Sequence, residues 1–298
     1  MTTSAAVVAR TLRAPFLVLS PACVAPGIAT AYVTAQHFSS LQASLVLIGA
    51  LLAHISVNTL NEYFDFHSGL DAATKRTPFS GGSGSLPAHP RAAPLVLLTA
   101  LITLLLTVAV GLYFVMRQGA ALLPLGLVGL FLVVTYTNVL TRSPWACLAA
   151  PGVGFGPLMV IGTHVALTGR YQLMPVLASL PAFFLASNLL LLNQFPDVEA
   201  DRRVGRRHLP IAWGRRASAR MYTVLALAAY VSLVLAVALG GLPKGALLGL
   251  SPLPLAIAAA ARVILHAEHI DALLPAMRLN VMVALLTPIL IALGIAIS

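Results

Sequence analysis

Acidic side chains are scarce in this sequence: eight Asp and Glu in 298 residues, within a charged fraction of only 9%. So few charges cannot clothe a water-soluble domain of this length. With 59% hydrophobic residues and a mean hydropathy of +0.94, a soluble single domain is excluded. Cysteine is also scarce. Cys23 and Cys147 both lie in apolar runs and offer neither a disulfide framework nor a zinc spacing, so ordinary buried packing is expected of each. Basic residues are the exception, with 18 Lys and Arg, a formal charge of +10 and a pI of about 10.4. In a soluble protein that balance points to nucleic acid. In a membrane protein it first reports loop orientation, and no nucleic-acid partner is expected here.

A bilayer-spanning helix uses about 20 apolar residues, so the apolar content suffices for eight or nine spans. The runs place nine, near 14–36, 41–66, 93–115, 119–138, 144–167, 173–196, 218–239, 245–266 and 274–297. The expected fold class is all-α, a polytopic membrane protein with residues 1–298 as one transmembrane domain and no room for a second soluble module. The segment after Arg10 and Arg13 reads as the first span rather than a cleaved leader. Its run is long, holds Pro15, Pro21 and Pro26, and lacks a convincing small-residue cleavage site. Loops alternating between the two sides place 15 Lys and Arg on the side of the N-terminus and three, Arg117, Arg170 and Lys244, on the other. By the positive-inside rule the N-terminus is cytoplasmic and the C-terminus outside, in a cell (inner) membrane.

Six of the eight acids fall in two short stretches, NEYFDFHSGLD over 61–71 and NQFPDVEAD over 193–201. The topology puts both at cytoplasmic ends, of spans 2 and 6. On a helix Asn61 and Asp65 share a face, with Asn58 a turn earlier. Asn193, Asp197 and Asp201 repeat the arrangement at i, i+4 and i+8 along one helical edge. Gly69 ends the first helix, and Asp71 reaches back from the loop. Facing stripes would gather four carboxylates beside a low-dielectric region, which demands positive charge. Oxygen-only ligands indicate a hard cation such as Mg²⁺, whose octahedron substrate phosphates commonly complete. No His or Cys is spaced for zinc. The basic residues alongside, Lys75, Arg76, Arg142, Arg202, Arg203, Arg206 and Arg207, suit a polyanion, for which diphosphate is the natural candidate. A lone DxxxD would more readily be a solvated ion-pair cluster. Two asparagine-led stripes on one face are not explained so simply. Glu199 lies off the stripe and is expected to pair with a neighbouring arginine at the surface.

At these residues the sequence resembles the UbiA superfamily of intramembrane prenyltransferases, with an Asn/Asp-rich motif after span 2 and DxxxD after span 6. Within it, the Asp65–Asp71 spacing, the run DRRVGRRHLPIAWG over 201–214 and the segment GFGPLMVIGTHVALTG over 154–169 are similar to the 1,4-dihydroxy-2-naphthoate prenyltransferases of menaquinone synthesis. Glu62 stands where such proteins often have aspartate, and His208 where threonine is common. The resemblance implies about nine helices around a central cavity open sideways to lipid, and Mg²⁺-dependent transfer of a prenyl group from an isoprenyl diphosphate to an aromatic acceptor. It implies Asn61, Asp65, Asp71, Asn193, Asp197 and Asp201 as metal-site residues, and Lys75, Arg76, Arg142, Arg202 and Arg207 at the diphosphate. Asp71 or Glu62 would be the base. Asn58, Tyr63, Tyr136, His164 and Asn188 are candidates for the acceptor or prenyl pocket, with Phe64, Phe155 and Phe183 as further wall residues and His54 as a possible acceptor contact. Arg13 would meet an anionic group or serve as an interfacial anchor. Other acceptors within the superfamily, such as 4-hydroxybenzoate, share the diphosphate site. From a different class, a transporter would place its carboxylates nearer the membrane midplane on broken helices. A phospholipid-type alcohol transferase would need a contiguous D-G-x-x-A-R run, which is not present.

Overall fold

The structure, a computed structural model, describes residues 3–35, 39–74 and 76–298. Among them there is no β-strand. Seven helices are long and apolar enough to cross a membrane: Ser40–His67, Pro90–Gln118, Pro144–Thr168, Leu173–Asn193, Arg215–Ala238, Lys244–His266 and Ile270–Ala296. They correspond to the expected spans 2, 3 and 5 to 9. Span 1 is a bent pair, Ser4–Leu17 with Leu19–Ala35, broken by 43°. Span 4 is the shorter apolar helix Ala120–Thr135, about 24 Å long at 1.5 Å per residue. The protein is an all-α, multi-pass membrane protein.

Local chemistry explains the ends and breaks. Ser39 starts span 2 with a capping box: its hydroxyl accepts from the Leu41 N–H at 3.2 Å while Gln42 Oε1 accepts from the Ser39 N–H at 3.2 Å. Gly69, at φ +76°, ends that helix and turns the chain into the short helix Leu70–Ala73. The 43° break in span 1 falls at Val18, between Leu17 and Leu19, and a separate turn before it holds Arg13, whose φ of 53° is the only positive value for a non-glycine among the described residues. Span 5 contains a π-turn over Gly154–Leu158. Pro157 within it has no N–H to donate to the preceding turn, so the ladder widens there.

The packing brings the first and last spans together. Span 9 lies against span 1, span 1 also meets spans 2 and 5, and span 6 packs on spans 5, 7 and 9. The core among these helices includes Leu19, Cys23, Leu185, Leu189, Tyr230 and Val283. Span 3, packed on span 2, exposes Leu98, Leu101, Leu105 and Leu112, as a lipid-facing surface requires. Polar side chains inside the bundle are spent on neighbouring helices. Asn188 donates to the Tyr222 carbonyl at 2.8 Å, the Tyr222 hydroxyl to Asn280 Oδ1 at 3.0 Å, and Asn280 Nδ2 to the Asn188 carbonyl at 3.3 Å. These bonds tie spans 6, 7 and 9 where no water is available.

Spans 5 and 6 approach most closely at Gly152 and Gly156. A Cβ on Gly152 would lie 2.6 Å from the Phe183 carbonyl oxygen, and one on Gly156 would lie 2.7 Å from the Phe183 backbone nitrogen. Small residues four apart allow this backbone contact. Gly156→Val should therefore cost about 1–3 kcal/mol or more, as an overpacking change does, and lower the unfolding midpoint in detergent. Gly111→Ala, at a helical position where a Cβ would meet nothing within 4 Å, should leave the midpoint unchanged or raise it.

Candidate active site

Both acidic stretches sit where spans 2 and 6 end, and the structure brings them together. Span 2 carries Glu62 and Asp65 in its last turns and buries both. Asp71 is buried in the short helix Leu70–Ala73 just beyond Gly69. Span 6 ends at Asn193, earlier than the continuous edge expected through Asp201. Pro196 is the reason, because it cannot donate to an α-helical ladder and restricts the residue before it. Gln194 and Phe195 close tight turns onto Leu191 and Leu192, and a new helix, Val198–Arg203, carries Asp201. The expected spacing of Asp197 to Asp201 survives as one α-type bond, the Asp201 N–H donating to the Asp197 carbonyl at 2.8 Å.

One arginine links the two stretches. Arg206 Nη1 donates to Asp201 Oδ1 at 2.9 Å and Nη2 to Asp65 Oδ1. His208 Nε2 lies 2.9 Å from the second Asp201 oxygen. Burial opposes the Arg206 charge, but Asp65 and Asp201 beside it hold the guanidinium more firmly protonated than usual. Glu62 is equally committed. Its Oε1 accepts from the Ser83 N–H at 2.8 Å and Oε2 from the Ser83 hydroxyl at 2.6 Å, while Arg13 Nε lies 2.9 Å from Oε1. This clasp joins span 2, the left-handed turn at Arg13 in span 1 and the loop 77–85. Gly82 must lack a side chain there, since a Cβ would lie 2.7 Å from Asp71 Oδ1 and its φ is +68°.

A second set of oxygens is open. Asp71 Oδ2, Asn193 Oδ1 and Asp197 Oδ1 are buried and have no hydrogen-bond partner. Burial, and then the neighbouring Glu62 and Asp65 charges, push the Asp71 carboxyl up to about 7. Burial, and then Asp201, push Asp197 up to about 7. Both shifts mark a place short of positive charge. Among the described residues no three His, Cys, Asp or Glu side chains form a ready metal cage. The donor set nonetheless fits Mg²⁺, which takes one or two carboxylates and leaves the rest of its shell to water or phosphate.

Other sequence-derived candidates lie around this centre or away from it. Asn61 Nδ2 donates to Thr137 Oγ1 at 3.3 Å, and Asn58 Nδ2 to the Leu12 carbonyl at 3.0 Å, so both fasten span 2 to neighbouring elements. Tyr136 lies beside Cys147 and Arg206. Arg76, Arg142, Arg202 and Arg207 are exposed at this end, and the Arg207 N–H holds its loop to the Thr141 carbonyl at 2.9 Å. Lys75 lies outside the described residues. Glu199 is exposed and, contrary to expectation, pairs with no arginine among the described residues. Tyr63 turns into a packing cluster with Val7, Leu86 and Val96. Asn188 belongs to the clamp between spans 6, 7 and 9. His164 Nδ1 lies 3.1 Å from Thr30 Oγ1, 17 residues beyond Arg13 along span 1 and so several helical turns from this end. These three are not brought to the carboxylates. His54 is held by Ser20 Oγ at 2.8 Å, with the Phe155 ring edge-on at 4.9 Å. Two contacts went unforeseen in the sequence: the bridge from Arg206, named there only among the basic residues suited to a polyanion, to Asp65 and Asp201, and the hold of Ser83 on Glu62. Only a Gly before one arginine and a Ser-Gly loop marked them.

A model of the UbiA prenyltransferase family matches residues 18–282. The 1,4-dihydroxy-2-naphthoate octaprenyltransferase of Escherichia coli (strain K12) is 29% identical over 297 residues, covering 96% of this chain and 94% of that one. The 1,4-dihydroxy-2-naphthoate octaprenyltransferase of Bacillus subtilis (strain 168) is 27% identical over 192 residues, covering 63% of this chain but only 60% of the relative's length. The fold is similar to that of a UbiA homologue from Archaeoglobus fulgidus solved bound to DMAPP and Mg²⁺, with a TM-score of 0.62 at 13% identity over 97% of this chain and 98% of that one. With the matched region running from span 1 into span 9 and including both acidic stretches, the chain belongs to the UbiA prenyltransferase family.

Proposed function

We propose that this protein transfers a prenyl group from an allylic isoprenyl diphosphate to 1,4-dihydroxy-2-naphthoate, using Mg²⁺. The observation that carries this reading is the set of three partnerless buried oxygens, on Asp71, Asn193 and Asp197, at the meeting of two acidic stretches. An unsatisfied buried polar atom costs about 1–3 kcal/mol, and an all-oxygen set finds its natural partner in a hard cation. Support for the acceptor comes from the names of the E. coli and B. subtilis relatives, and support for the metal from the Mg²⁺ of the A. fulgidus homologue.

In this reading Asp71, Asn193 and Asp197 hold the metal, with Asp65, Asp201 and Asn61 completing the polar end. Bound Mg²⁺ supplies Lewis-acid stabilisation of the departing diphosphate. Lys75, Arg76, Arg142, Arg202 and Arg207 surround the anion from the exposed side. As the allylic C–O bond breaks, the diphosphate leaves with the electron pair, and the electron-rich acceptor ring forms the new C–C bond. Loss of a proton or of carbon dioxide then restores aromaticity. Of the two candidate bases, both oxygens of Glu62 are engaged by Ser83 and Arg13, so the proton would fall to Asp71 through the carboxylate oxygen that the metal leaves free. Tyr136, beside Arg206, offers a π face to the cation. The 15-to-3 charge distribution supports an N-terminus in the cytoplasm, a C-terminus outside and a site near the cytoplasmic face of the cell membrane. Residues 1–298 act as one domain in contact with lipid.

Purified protein given Mg²⁺, geranylgeranyl diphosphate and 1,4-dihydroxy-2-naphthoate should form a prenyl naphthoquinol detectable by mass spectrometry and abolished by EDTA. Prenylation of 4-hydroxybenzoate alone would overturn the acceptor, and solute flux without diphosphate release would favour a transporter. Asp71→Asn and Asp197→Asn should each lower turnover by at least about 100-fold while eluting as folded protein. Glu62→Ala should instead act on stability, since it leaves the Arg13 charge without its buried partner. A loss of about 3 kcal/mol is expected from such a change, read as a lower unfolding midpoint.

A further inference from the structure

The carboxylates of the site fall into two classes. Those of Asp65 and Asp201 are held by Arg206, and the second Asp201 oxygen by His208. Those of Asp71 and Asp197 each keep an oxygen open. Arg206 thus neutralises one carboxylate from each acidic stretch, from a position where its side chain is only 15% exposed. The backbone around it is pinned on both sides. The Arg206 N–H donates to the Asp201 carbonyl at 3.0 Å and the Arg207 N–H to the Thr141 carbonyl at 2.9 Å. Gly205 precedes it at φ +81° with nothing within 4 Å of where a Cβ would stand. The main chain is therefore fixed, so any exchange of partners must come from rotation of the Arg206 side chain itself.

A divalent cation that recruits Asp65 or Asp201 must take it from Arg206. If the cation comes alone, the displaced guanidinium is left buried without a partner, which is strongly unfavourable. If it comes with a diphosphate, the same guanidinium meets phosphate oxygens, which suit its planar fork as well as carboxylates do. We propose that Arg206 is an internal counter-ion that makes metal uptake conditional on diphosphate, exchanging the Asp65 and Asp201 carboxylates for phosphate oxygens when donor and metal enter together. This rests on the metal-diphosphate reading of the site. It adds an order: metal alone binds weakly, and metal and donor strengthen each other's binding by the same factor, as linkage requires.

The test uses Mn²⁺ as the probe on the full-length protein in detergent, with free Mn²⁺ followed by electron paramagnetic resonance. Titrations are run with and without geranylgeranyl diphosphate, in the absence of acceptor, against donor-only controls. Wild type should bind Mn²⁺ weakly alone and at least about tenfold more tightly with donor, a coupling within the usual range. Arg206→Gln should bind Mn²⁺ alone more tightly than wild type and lose most of the coupling. Arg206→Lys, which keeps a buried charge but cannot fork between two carboxylates, should fall between them and serves if the glutamine variant does not fold. Unchanged or weaker Mn²⁺ binding in the variants, or unchanged coupling, would overturn the role of Arg206 while leaving the metal site standing. Absence of Mn²⁺ binding by wild type even with donor would remove the metal-diphosphate reading itself, and this inference with it.

Discussion

Concentrating carboxylates at the end of an apolar bundle is the constraint on which the rest of this structure depends. A charge withdrawn from water costs several kcal/mol unless it is paired, and here the pairing is uneven. Arg13 and Ser83 satisfy Glu62, and Arg206 with His208 satisfies Asp201. Asp71 and Asp197 remain short of positive charge, and the fold tolerates that shortage because the rest of the bundle is built to hold them. In the proposed reading such a deficit has a use, since a diphosphate and its metal would supply what the protein withholds.

The apolar bundle does this holding. Span 9 returning to span 1 closes the helices around the site, and the Asn188–Tyr222–Asn280 clamp fixes the helices behind span 6. At the active end the chain is irregular where chemistry demands it. The helix breaks at Gly69 and Pro196 let Asp71 and Asp201 turn inward, and glycines in the loop 81–84 let backbone lie directly on the acidic cluster. The strained Arg13 is retained in the same spirit, because its side chain reaches Glu62 from a left-handed turn in span 1.

Much of this was legible in the sequence for a simple reason: in a chain so poor in charge, six acids in two stretches stand out, and nine apolar runs are hard to mistake. The kind of fold and the residues of the polar end followed from that. Span 4 proved short, and the helical edge from Asn193 to Asp201 proved broken, because periodicity carries on through a proline that the backbone does not. Tyr63, His164 and Asn188 read as pocket candidates since a polar group in a span attracts a functional reading. The structure spends them on packing or on hydrogen bonds between helices. The bridging role of Arg206 was hidden for the opposite reason. That residue is one of seven arginines between 202 and 220, and only three-dimensional contact separates the buried bridge from its exposed neighbours.

The most direct test of the central claim is the position of the metal. A structure of the protein with Mn²⁺ and an unreactive isoprenyl diphosphate analogue, with the metal located by anomalous scattering, should show Mn²⁺ at coordination distance from Asp71 and Asp197, between the two acidic stretches. Metal located elsewhere, or a diphosphate held at this end without any metal against those two carboxylates, would contradict the account.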